Sequence, residues 1–171
     1  GLGDVYKRQD TIYDKFVAEL SALFDKVKVG LPWEESTQLG SLIYEAQVNK
    51  VLSYVDLAKE EGARIVAGGV RVTDGELGKG CFVRPTLIAD ATNDMRVARE
   101  EIFGPVAVVI KFHSEEEVIE QANDSLYGLG GGVFTQNINR AIRVARGIET
   151  GRMWVNTYNS CLLYTSDAAD E

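Results

Sequence analysis

Residues 11–28, TIYDKFVAELSALFDKVK, space apolar side chains in steps of three and four: Ile12, Phe16, Leu20, Leu23, Phe24 and Val27. That period predicts an amphipathic helix with those residues on one face. Asp10 or Thr11 suits its N-cap, and Gly30 and Pro32 end it. Residues 44–61 repeat the pattern with Val48, Val51, Leu52 and Val55, and Gly62 marks a C-terminal stop. ARIVAGG (63–69) then predicts a short buried strand, and the Gly- and charge-rich stretch 70–80 an exposed loop or hairpin. CFVRPTLIAD (81–90) is strand-like, with Pro85 assigning it to an edge or an irregular strand. NDMRVAREE (93–101) predicts a short helix capped by Asn93 or Asp94.

The last third alternates regularly. VAVVIKF (106–112) is a continuous apolar strand, and SEEEVIEQAND (114–124) a helix opened by Ser114 and Glu117 at capping-box spacing. GGVFTQ (131–136) is a second strand. NINRAIRVARGIET (137–150) is a helix with Ile138, Ala141, Val144, Ala145 and Ile148 on one face, and RMWVN (152–156) a third strand. Strand, helix, strand, helix, strand at this spacing predicts parallel neighbours joined by right-handed crossovers. The expected class is α/β with a parallel sheet at its centre.

Composition narrows the function classes. With 171 residues, 45% hydrophobic and 26% charged, the chain suits a soluble globular domain or a piece of one. A net charge of -8 argues against a nucleic-acid partner, and no apolar run reaches the ~20 residues of a membrane span. Two cysteines and one histidine cannot supply the usual zinc ligand set, so no metal site is expected. A disulfide framework is not expected either, which points to a reducing, cytoplasmic compartment.

Most motif-like stretches have ordinary explanations. The glycines of YGLGGGVF (127–134) follow a helix and precede a strand, the reverse of a dinucleotide-binding loop. They are expected to end the helix and allow close packing. Cys81, in an apolar run with no base beside it, is expected to be a buried structural thiol. His113 is expected to be a solvated loop residue, and Glu115, Glu116 and Glu117 a solvated helix start.

EEIFGPV (100–106) leaves two readings open. In one, solvated acids end a helix while Ile102 and Phe103 pack and Gly104-Pro105 turns the chain into the next strand. In the other, the loop entering a central strand holds a ligand. A carboxylate there accepts hydrogen bonds from ribose hydroxyls, and a phenyl ring lies against a planar heterocycle.

EEIFGPV resembles a signature segment of the NAD(P)-dependent aldehyde dehydrogenase superfamily. QLGSLIYEAQVNKVLSYVDLAKEEGARIVAGG, GKGCFVRPTLI, NDMRVAREEIFGPV, EEEVIEQANDSLYGLGGGVFT and AIRVARGIETGRMWVNTYN agree with that family in order and spacing, over about residues 10–160. The resemblance implies part of a catalytic domain in which Glu101 holds the nicotinamide ribose and Phe103 contacts the nicotinamide end of NAD or NADP. It places Gln47 and Lys50 near the cofactor ribose, and Tyr158 and Asn159 at the aldehyde entrance.

The implied parent reaction oxidises a small aldehyde to an acid through a cysteine thiohemiacetal and thioester, in a homo-oligomer, dimer or tetramer. The family's nucleophilic cysteine precedes the segment that DTIYDKF resembles, where this chain has GLGDVYKRQ. None of its own residues is therefore assigned as catalytic, and the chain is expected to be inactive. Residues 1–9 and 161–171 depart from the family and are expected to be artefactual tails around a partial, incomplete domain. A betaine-aldehyde or semialdehyde dehydrogenase fragment, and a non-enzymatic α/β binding or interaction module, are the alternatives.

Overall fold

A computed structural model describes residues 4–158, which divide into two units at Ser114 and Glu115. The first is built on a four-stranded mixed sheet. Its elements are β1 (Asp4–Gln9), α1 (Asp10–Lys26), α2 (Glu45–Glu60), β2 (Arg64–Ala67), a single 3-10 turn (Leu77–Lys79), β3 (Thr86–Ala91), α3 (Arg96–Arg99) and β4 (Val106–Phe112). The strand order is β1-β4-β3-β2. β4 runs parallel to both β1 and β3, and β2 closes the sheet antiparallel to β3.

β4 explains the architecture. Val106 to Ile110 are all buried, because both faces of the strand are covered. Val106, Val108 and Ile110 belong to the core cluster containing Val48, Val51 and Ala58 of α2. Ala107 and Val109 belong to the cluster with Tyr13 and Val17 of α1. One helix therefore packs on each side of the sheet, and the period of two along β4 divides its residues between them.

α2 matches its expected span, and its stop is a Schellman-type turn. The Ala63 amide donates to Ala58 O (2.8 Å) and the Gly62 amide to Lys59 O (3.1 Å), with Gly62 at φ +93°. α1 also forms, but its buried stripe is rotated from the expected one. Tyr13 and Val17 are buried, whereas Ile12 and Leu23 face solvent. A tyrosine can sit innermost because its hydroxyl is satisfied there: it accepts from the Asp90 amide (2.6 Å) and lies 3.3 Å from the Val109 carbonyl.

Three expectations are corrected. Of the two readings of 81–90, edge or irregular strand, the edge one fails: β3 lies between β4 and β2 and is almost wholly buried, but it is irregular, with a register shift against β4 between Ile88 and Ala91. Pro85 stands just before its first residue, so no ladder hydrogen bond is lost. ARIVAGG gives the edge strand β2, only partly buried, instead of a buried strand. The helix expected over 93–101 is α3 alone, and Glu100 already has extended backbone (φ -108°, ψ 147°). Asp4–Gln9, for which the pattern predicts no element, form β1.

The second unit contains α4 (Glu115–Asn123), β5 (Gly130–Val133), α5 (Ile138–Gly147) and β6 (Arg152–Val155). β5 and β6 pair in parallel, as the crossover rule requires. They form their own two-stranded sheet, whereas β4 pairs with β1 and β3. The Asn137 side chain caps α5 by accepting from the Arg140 amide (3.0 Å). Of the expected α5 face, Ala141 and Val144 are buried, while Ile138 is exposed. Glu115 is not simply solvated: it pairs with Arg143 (2.7 Å) and Arg140 (3.4 Å), tying α4 to α5.

Candidate functional site

The segment Glu100–Pro105 links α3 to β4 and lies along α2. Its side chains alternate. Ile102 and Gly104 are buried, whereas Glu101 and Phe103 are exposed. Gly104 is required by contact: a Cβ at this position would overlap Val51 Cγ2, in the apolar stripe of α2. With Ile102 buried beside it, the loop is seated directly on the helix.

Phe103 adopts φ +57°, a left-handed conformation that costs a non-glycine residue about 1 kcal/mol or more. Side chains of α2 hold this backbone in place. Gln47 Nε2 donates to both Ile102 O (2.9 Å) and Phe103 O (2.7 Å). Lys50 Nζ donates to Glu101 O (3.1 Å) and lies 5.5 Å from the centroid of the Phe103 ring, within cation–π range. The structure thus brings Gln47, Lys50, Glu101 and Phe103 together. Gln47 and Lys50 engage the loop's main chain, a role the sequence does not reveal.

The two glutamates differ sharply. Among the described residues, the Glu101 carboxylate makes no hydrogen bond or ion pair; only its backbone carbonyl is engaged. Glu100 has both oxygens occupied. Arg96 donates from Nε (2.6 Å) and from its terminal nitrogen (3.0 Å), and the Tyr54 hydroxyl donates at 2.5 Å. Those hydrogen bonds, Arg96 first and Tyr54 second, lower the Glu100 pKa to about 2. Its carboxylate in turn raises that of Tyr54. Tyr54 and Arg96 are the residues that sequence reasoning missed. The available signal is the spacing 47, 50, 54 on α2, a polar stripe beside the apolar one.

The other expected site residues lie elsewhere. Tyr158 is in the second unit, half-exposed, its ring edge-on to Trp154 at 5.6 Å between centroids. Asn159 and Cys161 fall outside the described residues. Cys81 is half-buried rather than buried, with its thiol 3.9 Å from Glu45 Oε2. His113 is exposed and pairs with Asp10 (3.1 Å). The 130–132 glycines build β5, where a Cβ on Gly130 would meet the Trp154 ring at 2.9 Å. Among the described residues, no group of His, Cys, Asp and Glu could hold a metal ion, and no helix is long and apolar enough to cross a membrane.

The sequence matches the aldehyde dehydrogenase family over residues 7–165. It is 47% identical over 153 residues to a betaine aldehyde dehydrogenase of Rhizobium johnstonii, covering 90% of this chain and 31% of that protein. Among solved structures, a betaine aldehyde dehydrogenase from Staphylococcus aureus in complex with NAD+ superposes with a TM-score of 0.89 at 40% identity, over 92% of this chain and 31% of that one. An aldehyde dehydrogenase from Bacillus cereus, carrying a single substitution, gives 0.86 at 42% identity, over 92% and 31%. The chain spans just under a third of the length of these relatives.

Proposed function

Because the chain belongs to the aldehyde dehydrogenase family, we propose that it forms part of the catalytic domain of an enzyme that oxidises an aldehyde to a carboxylic acid with NAD or NADP. Its share of the work is to hold the nicotinamide end of the dinucleotide. One observation carries this reading: an unpaired, exposed carboxylate and an exposed phenyl ring are two residues apart on a backbone fastened to α2.

The residues present fit that ligand. Glu101 has two free oxygens, enough to accept from both hydroxyls of a ribose. Phe103, 51% exposed, offers an apolar face to a planar ring. Lys50 uses one of its donors on Glu101 O and keeps the others for cofactor oxygens, while Gln47 acts through the loop backbone. A dinucleotide held there would supply the hydride acceptor for the oxidation. Holding its nicotinamide ring in one orientation is how Glu101 and Phe103 would lower the barrier.

The test uses a hybrid in which residues 10–158 replace the matching segment of the Rhizobium johnstonii relative. Glu101→Gln in that hybrid should lower kcat about tenfold or more, roughly 1.4 kcal/mol of lost positioning, with AMP binding nearly unchanged. Equal losses in both would refute the ribose role. A hybrid that folds without turnover would favour the non-enzymatic module. The 171-residue chain alone is expected to form no NADH from propanal, since no cysteine occupies the nucleophile's place in the family pattern. Measurable oxidation by that chain would contradict this.

A second reading, betaine aldehyde as the substrate, has its own support. The Trp154–Tyr158 pair is an aromatic surface of the kind that attracts a quaternary ammonium group, and relatives named above carry that activity in their names. Tyr158, and Asn159 beside it, would then line the entrance. A kcat/KM in the hybrid that favours betaine aldehyde over propanal, and loses that preference in Tyr158→Ala, is the expected outcome.

A further inference from the structure

Two identical side chains stand side by side at Glu100 and Glu101, yet only one can face the cofactor. A slip of the loop by one residue along α2 would bring Glu100 to the place of Glu101 and set Arg99 opposite Tyr54. The seats of Ile102 and Gly104 against the apolar face of α2 oppose that slip, and so does a polar stripe of the same helix. Its residues at 47, 50 and 54, three and four apart, hold four successive loop residues in reverse order. Tyr54 takes the Glu100 carboxylate, Lys50 the Glu101 carbonyl, and Gln47 the carbonyls of Ile102 and Phe103.

Only the first of these contacts involves a loop side chain. Backbone carbonyls are alike at every residue, so the contacts of Lys50 and Gln47 would survive a slip with their partners shifted by one. In the slip that would bring Glu100 forward, the Tyr54 hydroxyl would meet Arg99 in place of a carboxylate, so this contact favours the observed register. Arg96, from α3, closes the other side of the same carboxylate and leaves Glu100 no free oxygen.

We propose that Tyr54 and Glu100 are positioning residues that set the register of the 100–103 loop on α2, so that Glu101, and not Glu100, presents its carboxylate to the dinucleotide. The proposal rests on the cofactor reading above. It assigns no contact between either residue and the cofactor; both act through the placement of Glu101 and Phe103.

The test compares Tyr54→Phe, Glu100→Gln, Glu100→Ala and the reference Glu101→Gln in the hybrid enzyme, reading kcat, inhibition by AMP and melting temperature. The expected result is a kcat loss of about three- to tenfold for Tyr54→Phe and Glu100→Ala, with AMP inhibition and melting nearly unchanged. Glu100→Gln, which retains one acceptor for the tyrosine hydroxyl, should lose less than Glu100→Ala. Adding Tyr54→Phe to Glu100→Ala should cost nothing further, since the two act through one contact.

Full kcat in Tyr54→Phe and Glu100→Ala beside a large loss in Glu101→Gln would overturn the register role while leaving the cofactor reading intact. Parallel loss of kcat, AMP binding and melting temperature would reduce the pair to a structural one and also overturn it. An unaffected Glu101→Gln would remove the cofactor reading itself, and this proposal with it. Hydrogen exchange on the full 171-residue chain gives a measurement independent of the hybrid. Amides of residues 100–104 should exchange faster in Tyr54→Phe than in the unaltered chain, and unchanged rates would count against the proposal.

Discussion

At Glu100 the chain stores a dependence on acid. Arg96 and Tyr54 bind the ionised carboxylate, and Lys50 adds a favourable charge, so its pKa falls from the ordinary 4.5 to about 2. The unfolded chain takes up a proton more readily at this site than the folded one. Its contribution to stability is therefore complete above the ordinary value and is lost as pH falls through the folded one. The group is open to solvent, so screening keeps the effect small. Urea midpoints of the unaltered chain and Glu100→Gln should differ most above about pH 5 and converge toward pH 2. A gap that stayed constant across that range would show that the carboxylate is not held in its charged form. Arg96, four positions before Glu100, separates it locally from Glu101, and the tyrosine that completes the difference is 46 positions away. The local sequence also contains the choice of groups, an acid and an aromatic ring next to Gly-Pro. The opposite roles of the two glutamates follow from the local Arg96 pair together with tertiary contacts.

At the scale of elements, legibility followed how local the cause was. α2, β4 and α5 were readable because apolar spacing lies within each segment: Val48, Val51 and Val55 in α2, Val106 to Ile110 in β4, Ala141 and Val144 in α5. The edge reading of β3 failed because the proline rule concerns hydrogen bonds inside a ladder, and Pro85 ends one residue before that ladder starts; the irregular reading matches the register shift between Ile88 and Ala91. Which strands neighbour β4 depends on partners distant in sequence, and the spacing of 106–156 says nothing about them. The α2–loop contact also has a local requirement that can be tested. Val51 is fully buried and β-branched, so it cannot swing away from a methyl group added at Gly104. Gly104→Ala should destabilise the first unit by about 1–3 kcal/mol, measured by urea unfolding. A loss within about 0.5 kcal/mol, the range of ordinary surface substitutions, would mean that the loop does not sit this tightly on the helix.

For the whole chain, burial is unevenly shared. The first unit has two core clusters, one on each face of its sheet, anchored by Tyr13 and Val109 on one side and by Val48, Val51 and Ile88 on the other. Among the described residues, the second unit buries only Ala141 and Val144, while Leu126, Leu129, Phe134 and Ile138 stand exposed. Its strands are four residues each, rich in glycine on the β5 side, and its two helices are joined by the pairs from Glu115 to Arg140 and Arg143, by the Asn123 side chain donating to Gly147 O (2.8 Å) and by Ile119 packed at Gly147. Those pairs are worth little in water, and a two-stranded sheet is marginal without apolar cover. Local opening free energies track buried apolar contact, so the two units should not open together. In the 171-residue chain, amides of β5, α5 and β6 should exchange well ahead of those in β3 and β4. The Glu115→Gln variant should speed exchange in α4 and α5 without altering β4. Uniform protection across both units would show that the second unit draws stability from contacts outside its own small core.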